Sequence, residues 1–171
     1  MQSRSILLSS GLLAFLAASA VASAAMSSAD KQFMIMAART DMIEAHEGQL
    51  AEQQAGRADV KDMAKMLVED HTGDYARLSA LAAKTGVSIP KGINATRDRN
   101  IEQLAHAKGA GFDRLFTRDE VADHKQALAA FKRESAHGKD SDVKAYATSV
   151  IPVLEKHLQQ AEQCAKPAKR S

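Results

Sequence analysis

The 171-residue chain has no tryptophan, two tyrosines, five phenylalanines and one cysteine. That cysteine, Cys164, lies near the C-terminus, so no internal disulfide can form, and its place at the very end of a helix makes it a poor nucleophile. Valine and isoleucine are sparse and never alternate, whereas alanine is abundant, which excludes a sheet protein and favours helices. Beyond the N-terminal region no apolar run approaches the roughly 20 residues that cross a membrane as a helix. There is no Gly-rich phosphate loop, no G-x-S-x-G, no C-x-x-C and no H-E-x-x-H, so the common nucleotide, hydrolase, redox and zinc-protease chemistries have no foothold. Basic (23) and acidic (21) residues nearly balance and are interspersed, so nucleic acid is not expected as a partner.

What is present begins with an export signal. Arg4 supplies the positive start, Ile6 to Val21 an uncharged apolar stretch, and Ala22-Ser23-Ala24 a small-x-small cleavage site. Residues 1–24 are therefore read as a signal peptide, 28–164 as one helical domain and 165–171 as a solvated basic tail. The expected location is periplasmic or secreted, with no integral membrane span after cleavage. Cys164 is far from the cleavage site, so a lipidated N-terminus is not expected either. Homo-oligomerisation is left open by the sequence.

Helix punctuation divides the domain. A first long helix is expected from Ser28, as its N-cap, to Ala55, with Gly56 beyond it. A second starts at Asp59, where DVKD resembles a capping box, and stops at Thr85-Gly86. VSIPKGI breaks regular structure, Asn94 caps a short helix to about Lys108, and the GAG at 109–111 ends that helix. A third long helix runs from Phe112 to Ala136 and closes at Gly138. A fourth runs from Ser141 to Cys164, with Pro152 expected to kink it. Short links near 57 and 139 make two antiparallel pairs, and the long link between the pairs is a crossover. The expected fold is all-α, a ferritin-like four-helix bundle whose crossover carries a short extra helix.

On helical wheels the apolar arcs contain residues that do not belong there. Glu44 and Glu47 fall among Phe33, Met36, Ala37, Thr40, Ile43, Leu50 and Ala51. His71 and Asp74 interrupt the stripe of Val60, Ala64, Leu67, Leu78 and Ala82. Glu120 and His124 sit between Phe116 and Ala127, and His157 lies between Leu154 and Ala161. Glu44 is 13 residues before the turn at 57 and His71 is 14 after it, which puts them at one depth. His124 and His157 are about one turn out of register, and the relative register of the two pairs is left open. Isolated buried carboxylates or imidazolium ions cost several kcal/mol each, so such residues are tolerable if they neutralise one another or bind a cation. Imidazole and carboxylate on facing helices are ligands for iron, manganese, zinc or copper. The candidate metal set is Glu44, His71, His124 and His157, with Glu47, Asp74 and Glu120 as alternates or supports. The competing reading is a structural or stress-associated interaction protein whose buried His/Glu network only sets helix register. Met34, Met36, Met42, Met63 and Met66 read as core and surface filling rather than a copper motif.

Taken in order, AARTDMIEAHEGQLA, VKDMAKMLVEDH, LAAKTGVSIP, FDRLF, VADHKQALAAF and VIPVLEKHL resemble one bacterial family. It is the exported, ferritin-like domain-of-unknown-function 4142 family, often labelled "predicted outer membrane protein". The resemblance covers about Ala29 to Ala161, and its pattern falls on Glu44, Asp70, His71, Phe112, Asp113, Asp123, His124, Pro152 and His157. It implies the ferritin-like fold and an exported protein, and no particular reaction. Di-iron bundles of that superfamily use Glu-x-x-His, whereas here the spacings are Glu69-x-His71, Glu120-x-x-x-His124 and Glu155-x-His157. A di-iron oxidoreductase is accordingly the weakest alternative, and catalysis is not expected.

Overall fold

The computed structural model describes residues 26–93 and 99–167. They form five helices: α1 (Ser28–Gln54), α2 (Ala58–Thr85), α3 (Arg99–His106), α4 (Gly109–His137) and α5 (Ser141–Cys164). The signal-peptide assignment, the Asn94 cap and most of the basic tail lie outside the described residues. The fold is the all-α bundle expected, two long pairs joined by a crossover that carries a short helix.

Local chemistry sets the helix ends, and in three places not as expected. The cap of α1 is Ser27 rather than Ser28, its hydroxyl accepting from the Asp30 N–H at 3.1 Å. No capping box forms at α2, because the Asp59 carboxylate is taken by the guanidinium of Arg57 and by the N–H of Val60. The glycines at 109–111 do not end α3: Gly109 opens α4 instead, with a left-handed φ of 54°. A side chain would be strained there, and the Gly109 backbone also lies close against Gly56. Gly86, at φ 70°, closes α2, and Asp140 caps α5 by accepting from the N–H groups of Asp142 and Val143. Helix α5 continues through Pro152, which lies on its exposed face.

Helix α1 packs on α2 and α4, and α5 packs on α4 and α2. The start of α1 meets the end of α4, since both oxygens of Asp30 accept backbone bonds from Lys139 (3.1 Å) and Asp140 (2.9 Å). Correspondingly, Asp113 near the start of α4 accepts the Gly56 N–H, just past the end of α1, at 2.9 Å. Each pair thus has its turn latched by an aspartate of the other pair. Against the upward push of burial, the bonds from Lys139 and Asp140 hold the Asp30 carboxyl below its usual range. Helices α1 and α4 are therefore antiparallel, α2 and α4 parallel, and the crossover runs the length of the bundle. Tyr75 fastens part of it through a hydrogen bond to the Pro90 carbonyl.

The apolar core is cut in two. One part gathers Phe33, Met34, Leu78, Phe131, Val150 and Leu154; the other gathers Val60, Met63, Leu67, Leu104, Phe112 and Phe116. Between them each long helix contributes buried polar residues: Asp41, Glu44 and Glu47 from α1, His71 and Asp74 from α2, Glu120 and His124 from α4, His157 from α5. Hydrophobic burial on both sides stabilises the bundle while this layer costs free energy unless its groups find partners.

Candidate metal centre

The polar layer brings His71, His124 and His157 together, with exposures of 2%, 1% and 1%. One ring nitrogen from each lies within 4.8 Å of the others. The outward nitrogens all have partners. Nδ1 of His71 meets Oδ1 of Asp41 at 3.0 Å, Nδ1 of His124 meets the backbone carbonyl of Glu120 at 3.0 Å, and Nε2 of His157 meets Oδ2 of Asp70 at 2.9 Å. The inward nitrogens do not share this comfort. Nε2 of His71 has no partner, and Nε2 of His124 faces Nδ1 of His157 at 3.3 Å.

The proton inventory gives these distances meaning. A carbonyl can only accept, so Nδ1 of His124 carries a proton, and in the neutral form of the ring its Nε2 presents a lone pair. With Nε2–H of His157 donating to Asp70, Nδ1 of His157 presents a second lone pair to the first. Two acceptors facing one another at 3.3 Å repel unless a proton or a cation lies between them. Burial disfavours the proton: it lowers His71 to about 3 and His157 to about 4, and the neighbouring rings add to the effect. Asp41 is pushed up to about 8 by burial and by the Asp74 carboxylate. The His71 and His157 rings are thus held neutral, the state in which imidazole binds metal.

Glu44 does not join the three histidines directly. It stands with Glu120 on the other side of His124, where one donor atom from each of these three residues lies within 4.8 Å of the others. Oε2 of Glu120 is 3.3 Å from Nδ1 of His124. The two carboxyls meet each other, and beyond that contact and the one to His124 no group bonds either oxygen of Glu120 or Oε2 of Glu44. Burial pushes both carboxyls well above their usual range, and for Glu44 the facing Glu120 adds to the rise. Glu47 is buried in the same layer and lines the α1–α4 groove. Asp74 is placed apart from the histidines, held by Arg77 at 2.6 Å. Cys164 is a buried free thiol far along α5, raised in pKa by burial.

Two supporting residues were missing from the sequence-derived set. Asp70 was part of the family pattern without a role, and it anchors His157 across 87 residues. Asp41 carried no signal except its spacing from Glu44 and Ala37. The buried face of α1 follows Met34, Ala38, Asp41 and Gly48, whereas Met36, Thr40 and Ile43 are turned toward the groove between α1 and α4.

The family model described as "Domain of unknown function (DUF4142)" matches residues 16–164. No curated protein sequence matches the chain. Among solved structures, a DUF305 fragment from Deinococcus radiodurans is similar with a TM-score of 0.72 at 11% identity, covering 82% of this chain and 97% of that one. CopM in its Cu(I)-bound form is similar with a TM-score of 0.66 at 17% identity, covering 78% and 93%. A conserved hypothetical protein from Mycobacterium tuberculosis follows at 0.63 and 12% identity, covering 80% and 97%. At such identities these likenesses establish the bundle alone. Among the described residues no helix is long and apolar enough to cross a membrane.

Proposed function

The chain belongs to the DUF4142 family, and we propose that it is an exported metal-binding bundle holding one copper ion through His71, His124 and His157. The observation that carries this reading is the convergence of the inward nitrogens, two of them 3.3 Å apart, with burial holding His71 and His157 unprotonated. Three imidazoles suit copper and zinc, and copper heads the usual affinity order for nitrogen sites. A buried site with three donors further favours Cu(I), which accepts low coordination numbers. Asp41, Asp70 and the Glu120 carbonyl would orient the rings, the support metal-binding histidines ordinarily have. The likeness to CopM, a protein whose structures are described with Cu(I), Cu(II) and silver, agrees with this choice. Because the three rings are almost wholly buried, the site suits holding an ion rather than turning over a substrate.

The test is metal content, measured by mass spectrometry on protein exported to its own compartment and purified without chelators or a histidine tag. The wild type should carry close to one copper per chain, and His71→Ala/His124→Ala should carry none. A wild type that stays metal-free after addition of copper, zinc, iron and manganese would sink the reading. It would leave the network as a device that sets helix register.

A further inference from the structure

We propose that Glu44 and Glu120, with Nδ1 of His124, form a second cation site that takes a hard divalent ion, such as Mn2+, from the groove between α1 and α4. The groove has a volume of about 900 Å³, and Glu44, Glu47 and Asp123 are among its lining residues. Glu120 faces Glu44, only 1% exposed, and apart from Glu44 and Nδ1 of His124 its carboxyl oxygens meet no partner. Two facing buried carboxyls beside an imidazole nitrogen, one donor atom from each residue within 4.8 Å of the others, make an oxygen-rich donor set. Manganese, iron(II) and zinc favour such a set, whereas Cu(I) does not. At the end near Glu44 the groove wall carries Glu47 and Asp123, which would draw cations, whereas its basic residues, Arg133 and Lys139, lie toward the start of α1.

This site depends on the preceding reading only through His124, and there the two interact. For copper at the three histidines, His124 keeps its proton on Nδ1. For an ion at the carboxylates, the proton moves to Nε2 and donates to Nδ1 of His157, already at 3.3 Å. The Glu120 carbonyl loses little, because it retains the ordinary helical bond from the residue 124 N–H. The imidazole itself gains and loses no proton, and any proton held by the two carboxyls leaves to solvent as the ion binds. One neutral imidazole offers one lone pair and serves one ion at a time, so the two sites exclude each other.

The experiment titrates Mn2+ by electron paramagnetic resonance into the metal-stripped full chain. Three proteins are compared: wild type, Glu44→Gln/Glu120→Gln and His71→Ala/His157→Ala. The wild type should bind one Mn2+; the glutamine pair should weaken binding at least tenfold; the histidine pair should retain it within threefold. One equivalent of Cu(I) should release Mn2+ from the wild type and not from the histidine pair. Circular dichroism confirms each fold, and Glu44→Gln alone serves if the double variant does not fold. Copper binding without Mn2+ binding, or Mn2+ binding that survives the glutamines, overturns the second site alone. Mn2+ binding that depends on the glutamates in a protein that ignores copper removes the tri-histidine reading and keeps this one.

Discussion

Replacing Asp70 with alanine should weaken metal binding far more than it weakens the fold. Asp70 touches the proposed centre only through His157, accepting from Nε2 at 2.9 Å, and its side chain is one-third exposed. Water can therefore take over the freed N–H, so the metal-free protein should lose about 1 kcal/mol or less and melt a few degrees lower. The ring, no longer held in one tautomer and orientation, should bind copper ~10- to 100-fold less tightly, equivalent to about 1.4–2.7 kcal/mol. Asp70→Asn supplies a carbonyl oxygen at the same place and should recover part of the loss. Affinity is read by competition with a chromophoric Cu(I) chelator, and stability by thermal melts of the metal-stripped protein. An unchanged affinity in Asp70→Ala, alongside a lost site in His157→Ala, would refute the idea that Asp70 sets the ring. An unchanged affinity in His157→Ala would remove the three-histidine centre itself.

Three further outcomes follow from packing and titration. A Cβ on Gly48 would meet Val68 Cγ2 at 2.8 Å and the Ala64 carbonyl at 3.1 Å, so Gly48→Val should destabilise the bundle by about 1–3 kcal/mol in urea melts. Asp30→Ala frees the Lys139 and Asp140 N–H groups and should cost about 2–4 kcal/mol by the same assay, with a faster-exchanging amide at both positions. Glu134 is raised to about 7 by burial and then by the Asp30 carboxylate. Its folded form holds a proton that the unfolded chain has released, so its contribution is full below about pH 4.5 and is lost as pH rises through 7. Glu134→Gln should therefore match the wild type near pH 4 and exceed it by about 1–3 kcal/mol at pH 8. A constant difference across that range would show that Glu134 does not titrate as described.

Much of this was legible in the chain. Glu44, His71, His124 and His157 interrupt apolar stripes, and counting from the turns places Glu44 and His71 at one depth; all four are found in one buried layer. The one-turn offset counted between His124 and His157 did not keep them apart, because an imidazole reaches several ångströms from its helix axis. What the wheels could not supply was the exact rotation of α1. With Met36, Thr40 and Ile43 turned to the groove, Asp41 moves inward, and a carboxylate beside Arg39 and Thr40 gives no local hint of that. Glycine was also read too simply at 109–111. Its usual role as a helix stop is one consequence of its freedom, and the same freedom lets Gly109 open a helix where two backbones nearly touch.

The reciprocal aspartate latches bear on how the chain reaches this structure. Their bonds join residues 57, 109 and 110 positions apart, so they close only after both hairpins have met. Either hairpin alone would leave its turn amides without their partner carboxylates, and its buried polar stripe without the opposing half. Non-local bonds of this kind slow folding relative to a bundle with uniformly short loops. They also make half-folded species costly, so the two hairpins should assemble and come apart as one cooperative unit rather than as separable halves.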